Sequence, residues 1–152
     1  MPDEGVSLVT PDTKIKVSST LDKSVGKKYL TDDSPETCWT SQQGTPQYIQ
    51  LQFPHRVLPT SLSITFQGGF VGTRCSVTAI SSSESPGAAN WVPLTSIYPE
   101  DVNRRQSFDL DTEALSEAGE GVQGLKIVFE ESSDFFGRIT VYDIKIFGTV
   151  LE

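Results

Sequence analysis

The sequence predicts an all-β fold, a sandwich or a barrel of short strands, and three features carry the prediction. Apolar and polar side chains alternate with a period of two along most β-rich stretches. Turn residues punctuate those stretches at Phe53-Pro54, Gly68-Gly69, Ser85-Pro86-Gly87 and Pro99-Glu100-Asp101. Helical periodicity is scarce.

Lys14 to Ser19 is the first strand candidate. In Gln47 to Phe53, Ile49, Leu51 and Phe53 alternate with Tyr48, Gln50 and Gln52. In Ser61 to Phe66, Leu62, Ile64 and Phe66 alternate with Ser61, Ser63 and Thr65. Such alternation sets one face on a core and the other in water. Ser76 to Ser81, Trp91 to Ile97 and Gln106 to Leu110 follow, and Gly124 to Phe129 puts Leu125, Ile127 and Phe129 on one side. The last strand, Arg138 to Gly148, breaks the pattern: Ile139 and Val141 share one phase, Tyr142, Ile144 and Ile146 the other. Either a β-bulge shifts the phase near Val141, or the strand is central and buried on both faces. Two short helical segments are expected. One is Lys23 to Leu30; the other is Asp111 to Ala118, with Asp111 as N-cap, Leu115 toward the core and Gly119 as the stop. Ser81 to Ala89, rich in Ser, Gly and Pro, reads as an exposed loop.

The 152 residues make one domain, with its core over about residues 7–149. No apolar run is long enough to cross a bilayer. The start, Met1-Pro2-Asp3-Glu4-Gly5, carries acid where a signal peptide carries base, so an intracellular protein is expected. Cys38 and Cys75 are then expected as reduced, buried thiols. With His55 as the sole imidazole they do not make a zinc site. Twelve basic against twenty acidic residues leave a net charge of −8. A phosphate backbone or an anionic bilayer repels such a chain, so nucleic acid and membrane are disfavoured as partners, while a basic protein surface is compatible.

Enzyme chemistry lacks its parts. His55 sits in a Pro54-His55-Arg56 turn with no nucleophile motif to recruit it. Neighbouring carboxylates such as Asp32 and Asp33 diverge rather than face each other across a substrate. No phosphate-cradling Gly loop is present. A non-catalytic protein is expected.

The acidic stretch Thr31-Asp32-Asp33-Ser34-Pro35-Glu36-Thr37-Cys38-Trp39 admits two readings. Calcium takes about six to eight oxygens at roughly 2.3–2.6 Å from carboxylates, hydroxyls and carbonyls. Asp32 supplies charge and Thr37 a hydroxyl and a carbonyl. Asp143, the one carboxylate in the last strand, is the distant ligand. Alternatively Ser34 is an N-cap, Pro35 a first helical residue and Glu36 a partner for the positive end of a turn, and Asp143 pairs with Lys145 or faces solvent.

Together these residues resemble a discoidin domain, the coagulation factor V/VIII type C domain of the galactose-binding-like jelly rolls. The resemblance covers nearly the whole chain. Its anchors are the Asp-rich loop ending in Thr-x-Trp (Asp32 to Trp39), the strand Gln47 to Phe53, and the terminal Tyr142-Asp143-Ile144-Lys145-Ile146-Phe147-Gly148. It implies a jelly-roll β-sandwich of about eight or nine strands. It also implies a structural calcium held by the Tyr29 carbonyl, Asp32, the Pro35 carbonyl, Thr37 and Asp143. The family often has Gly or Asn after its first Asp, where this chain has Asp33 and Ser34. The disulfide that joins the termini of secreted members is missing here. A closer resemblance is to one small intracellular branch of the family. It is carried by Val25-Gly26-Lys27-Lys28, Glu36-Thr37-Cys38-Trp39, Phe66-Gln67-Gly68-Gly69-Phe70, Tyr98-Pro99-Glu100-Asp101 and Asp134-Phe135-Phe136-Gly137-Arg138. That branch implies a co-regulator, in nucleus or cytoplasm, that binds an orphan nuclear receptor and represses its transcriptional activity.

Jelly rolls of this kind place ligand sites on loops at one end, and two loops here are unusual. Gln67-Gly68-Gly69-Phe70-Val71-Gly72 sets apolar side chains among glycines, and Asp134-Phe135-Phe136-Gly137-Arg138 sets two aromatics beside an acid and a base. A turn needs Gly but has no need of Phe. Exposed together, Phe70 with Phe135 or Phe136 would form an apolar interaction patch; folded back, the rings would plug the end of the sandwich. A glycan site would use an aromatic face with Asp134 and Arg138 as hydrogen-bonding partners, with Glu130 and Glu131 nearby and Trp39, Gln42 and Gln43 lining the same end. The expected partner-binding set is Gln67, Gly68, Phe70, Asp134, Phe135, Phe136 and Arg138.

Overall fold

A computed structural model describes residues 6–32, 34, 36–80, 92–110 and 121–151. The Ser81 to Ala89 loop, the Asp111 to Ala118 helix candidate, Asp33, Pro35 and Trp91 lie outside the described residues. Among the described residues there are nine strands: β1 (Val6–Ser7), β2 (Lys14–Val17), β3 (Trp39–Thr40), β4 (Gln47–Phe66), β5 (Gly72–Ile80), β6 (Val92–Ile97), β7 (Arg105–Asp109), β8 (Val122–Ser132) and β9 (Thr140–Val150). Lys23 to Leu30 forms two short 3₁₀ turns, Lys23–Val25 and Lys27–Leu30, rather than a helix. Asp22 starts the first, its carboxylate accepting from the Ser24 amide at 2.9 Å. No helix among the described residues is long and apolar enough to cross a membrane.

β4 organises the molecule. Its first part, Gln47 to Gln52, pairs antiparallel with β8 on one side and β2 on the other. Its last part, Ser61 to Phe66, pairs with β9 and β7. One strand of 20 residues thus belongs to two layers. The first runs β2-β4-β8-β5-β6 and the second β7-β4-β9, with β1 and β3 on the far edge of β9. The sequence predicts two strands here, separated by a turn at Phe53-Pro54. The strand instead continues through Pro54, His55 and Arg56, and only its register slips, between Gln52 and Val57. Proline has no N–H to give a ladder, so the crossing between layers is where it fits. The turn expected at His55 is therefore a bent strand.

Alternation sets the core. Ile49, Leu51, Leu125, Ile127, Phe129 and Val77 point inward from the first layer, and Leu62, Ile64, Phe66, Ile144 and Ile146 from the second. Each is buried, and each contributes about 1.5–3 kcal/mol by leaving water. The layers meet at three rings. Phe129 lies 5.8 Å from Phe66, edge to face, and 6.3 Å from Trp39. Trp39 donates its Nε1–H to the Ser19 carbonyl at 3.0 Å, so its one polar atom is satisfied inside. Cys75 is buried and Cys38 half-buried, both as free thiols. Burial pushes the Cys75 thiol far up, with Glu130 adding to the shift, which leaves it inert.

The phase break in β9 is a β-bulge; the strand is central, as the alternative supposed, but it is not buried on both faces. Thr65 faces Asp143 and Phe66 faces Val141, so Tyr142 is the extra residue of a β-bulge. β9 is also central, between β4 and the β1 and β3 segments. The bulge lets Val141 and Ile144 both face the core while Asp143 and Lys145 stay on the half-buried outer side. At its far end Gly148 passes the slip in β4 so closely that an added Cβ would collide with the Leu58 carbonyl and lie 2.8 Å from Pro59 Cα. The terminal Gly148 is thus a packing requirement of this approach.

Candidate functional site: the aromatic end loops

At the end of the sandwich where β9 begins, the β4–β5 loop and the β8–β9 loop lie against each other. Main-chain bonds join them: Gln67 N donates to Thr140 O at 3.0 Å, Thr140 N to Phe70 O at 3.1 Å, and Ser133 N to Val71 O at 2.8 Å. Ser133 returns the bond, its Oγ accepting from Val71 N at 2.9 Å. A third loop, residues 41–46, closes from the other side, with Gly44 N donating to Phe136 O at 2.8 Å. Gly137 makes that approach possible. Its φ is +83°, and a Cβ there would lie 2.9 Å from the Gly44 backbone. Gln47 braces the 41–46 loop from inside, donating to the Gln42 and Gly44 carbonyls at 3.2 and 2.6 Å.

Arg138 is the hub of the predicted residues. Its Nε donates to Asp134 Oδ2 at 3.1 Å, and its main-chain N to the same oxygen at 3.0 Å. The guanidinium lies 5.1 Å from the Phe70 ring centre and 6.0 Å from that of Phe136, a cation held between two π faces. Phe135 meets Phe136 edge to face at 5.2 Å. The structure thus brings together Phe70, Asp134, Phe135, Phe136 and Arg138. Gln67 and Gly68 shape the turn beneath. The rings do not plug the sandwich: Phe135 is 93% exposed and Phe136 54%, while Phe70 is half-buried under Arg138. Trp39 does not line this end; it is core, fully buried between the layers. Glu131 pairs with Arg74 at 3.2 Å and Glu130 accepts from Ser76 Oγ at 3.0 Å. Gln42 and Gln43 are exposed.

Sequence reasoning missed Asp101 and Asn103. Asp101 Oδ1 accepts from Gly69 N at 2.8 Å and from Ser133 Oγ at 3.3 Å, and Asn103 Oδ1 accepts from Gly68 N at 3.0 Å. They lie more than 30 residues from the amides that they hold, and no local pattern announces such a contact.

The hydrogen bond from the Arg138 side chain, joined by main-chain donors, holds the Asp134 carboxyl below its ordinary value against the opposing effect of burial. A lowered value in the folded state means a contribution that is complete above the unfolded value of about 3.9 and lost as pH falls through the folded one. The Arg138 Nε–H resonance is therefore expected to stay fixed from neutral pH down to about pH 4 and to move only below it. Movement centred above pH 5 in a titration followed by NMR would contradict the assignment.

The acidic loop stands apart from this cluster. Asp32 Oδ1 accepts from Ser34 N at 3.2 Å, and Asp32 Oδ2 lies 2.6 Å from Thr37 Oγ1, which is 3.5 Å from the Ser34 carbonyl. Ser34 Oγ accepts from Glu36 N at 3.2 Å, the capping role read from the sequence. The Thr37 hydroxyl donates to Asp32 Oδ2, so these oxygens form a hydrogen-bonded turn; carboxylate, hydroxyl and carbonyl are the oxygen types that calcium takes. The donor type fits calcium and the number fits in part. Tyr29 closes the 3₁₀ turn before the loop, donating its N–H to Gly26 O at 3.2 Å. Asp143 lies 3.7 Å from Lys145 Nζ. Among the described residues no group of three His, Cys, Asp or Glu side chains converges on a metal position.

No family model matches the chain. Curated relatives do. Nuclear receptor 2C2-associated protein from Danio rerio is 43% identical over 145 residues, covering 93% of this chain and 95% of that protein. The proteins of the same name from Mus musculus and Homo sapiens are each 39% identical over 145 residues, covering 93% of this chain and 95% and 96% of theirs. The chain belongs to the nuclear receptor 2C2-associated protein family. Among solved structures, the C-terminal domain of a chitobiase from Bacteroides fragilis superposes with a TM-score of 0.74 at 16% identity, covering 97% of this chain and 100% of that one. The family 32 CBM of Clostridium perfringens NanJ, solved with galactose, gives 0.71 at 13% identity, covering 92% and 96%. At such identity these two establish the fold, a galactose-binding-like jelly roll, and nothing about ligands. In this nuclear receptor 2C2-associated protein family member, the end loops are thus carried on a scaffold shared with sugar-binding modules.

Proposed function

We propose that this chain is a non-catalytic interaction module that binds a nuclear receptor through the aromatic end loops and represses its activity. The observation that supports it most is the near-complete exposure of Phe135 beside the half-exposed Phe136. Large rings on a loop braced from three sides keep their position without a partner, and gain most when a partner covers them. The relatives' name supplies the partner class. Loss of receptor ligand-binding-domain capture by Phe135→Ala, with circular dichroism unchanged, is the test.

A glycan reading rests on the fold shared with the galactose-bound module. Two features oppose it. Phe135 and Phe136 stand at 89° to each other rather than as a flat platform, and Arg138 and Asp134 already spend bonds on each other. Saturable sugar binding on a glycan array, lost in Arg138→Ala, would replace the protein-partner reading.

Calcium at the acidic loop, held by the Tyr29 carbonyl, Asp32, the Pro35 carbonyl, Thr37 and Asp143, is a structural proposal alongside this one; the ion would order the loop. Calcium at a hundred times its Kd is expected to stabilise the fold by about 2.7 kcal/mol over chelator, and Asp32→Ala to abolish the gain. Equal melting midpoints with calcium and with chelator would remove the ion from the account.

A further inference from the structure

The segment that joins β6 to β7, residues 98–104, crosses the same end of the sandwich as the aromatic loops. It is fastened by side chains. Gln106 splints it, accepting from Glu100 N at 2.8 Å and donating to Glu100 O at 2.9 Å. Asp101 then reaches out of it to two other loops at once, to Gly69 N and to Ser133 Oγ. Water satisfies an exposed loop amide as well as a side-chain oxygen does, but an oxygen carried on another segment also ties the two segments together and so fixes their position. At the start of the segment Pro99 is buried while Tyr98 stands 65% exposed. Pro99 thus anchors the segment inside and leaves the neighbouring Tyr98 ring in solvent.

We propose that this crossing is the third wall of the recognition face. Asp101 is its positioning residue, Tyr98 a contact ring, and the partner is a protein surface that offers an apolar hollow. The proposal rests on the end-loop reading above and says what the partner must look like. Phe135 projects almost wholly into solvent, so this chain supplies the knob and the partner the hole. Asp101, Asn103, Ser133 and Asp134 hold the backbone amides that shape the loops, and the exposed Tyr98, Phe135 and Phe136 are the large apolar side chains presented beside them. Rings pre-set by such ties lose little freedom on binding.

The test is calorimetric titration of the full chain and its variants with the ligand-binding domain of nuclear receptor 2C2, each variant checked by circular dichroism. Tyr98→Ala and Asp101→Ala are each expected to weaken binding about tenfold. Asp101→Asn keeps an oxygen acceptor in place and is expected to bind within about twofold of the unaltered chain. Amide exchange at Gly69 should quicken in Asp101→Ala and not in Asp101→Asn. Asp101→Asn as weak as Asp101→Ala would mean that the charge itself meets the partner, which overturns the positioning role. Tyr98→Ala and Asp101→Ala binding like the unaltered chain, while Phe135→Ala fails, would overturn the third wall and leave the end-loop reading standing. No binding by the unaltered chain, or full binding by Phe135→Ala, would overturn both.

Discussion

Phe129→Ala is expected to destabilise the domain by about 3–5 kcal/mol, the usual cost of removing a buried aromatic from a packed core. The ring touches both layers, Trp39 and Phe66 on one side and its own sheet on the other. Gly72 on the neighbouring strand has no side chain because the ring fills that space: an added Cβ would lie 3.1 Å from Phe129 Cγ and closer still to Cδ1. The cavity cannot be filled from Gly72, so little relaxation offsets the loss. For a chain of this size the melting midpoint should fall by on the order of 10 °C. In urea the midpoint should move with the slope unchanged. Phe129→Leu keeps most of the volume and should cost less than half as much. A loss of under about 1 kcal/mol in Phe129→Ala would mean that the two layers do not share this ring.

Phe135→Ala is the counterpart: large in binding and nearly silent in stability. A ring 93% exposed buries little in the free protein, so its removal should leave stability within about 0.5 kcal/mol. At the centre of an interface the same ring is expected to carry about 2 kcal/mol, roughly a thirtyfold loss of affinity. Phe136→Ala should lose less on binding and more on loop order, because Phe136 also faces the Arg138 guanidinium. Equal affinity in the unaltered chain and Phe135→Ala, measured by calorimetry, would move the interface elsewhere. Loss of folding in Phe135→Ala would mean that the ring packs inward in solution.

Much of the fold was legible because alternation reports burial directly. Ile49, Leu51 and Phe53, or Leu125, Ile127 and Phe129, need no tertiary knowledge to be placed on one face. The slip in β9 was visible for the same reason: a bulge adds one residue, and Tyr142 shifts every side chain after it. What misled was Pro54. A proline between two alternating runs reads as a turn, but in a strand that changes layers it marks the crossing. The short β1 and β3 segments carry no pattern, because two residues cannot show a period.

The candidate site divides in the same way. Phe135, Phe136, Asp134 and Arg138 were conspicuous because a glycine turn has no use for them. Phe70 was found, but its half-burial under Arg138 depends on a partner 68 positions along the chain. Trp39 looked like a lining residue and is core, since nothing local says which way an isolated ring at a strand end will face. Asp101 and Asn103 hold main-chain amides, and an amide has no side-chain identity to search for. Their contribution could be seen only once the loops were placed together.

Amide chemical-shift mapping tests most directly whether a receptor binds at the aromatic end loops. On adding unlabelled receptor ligand-binding domain to the isotopically labelled chain, the shifted and broadened amides should cluster at residues 67–71, 98–103 and 133–139. The opposite end, where Leu8, Phe53, Val57 and His55 line a cavity of about 200 Å3, should stay unchanged. Shifts centred on that cavity or on the outer face of β2, with the aromatic loops unmoved, would contradict the account.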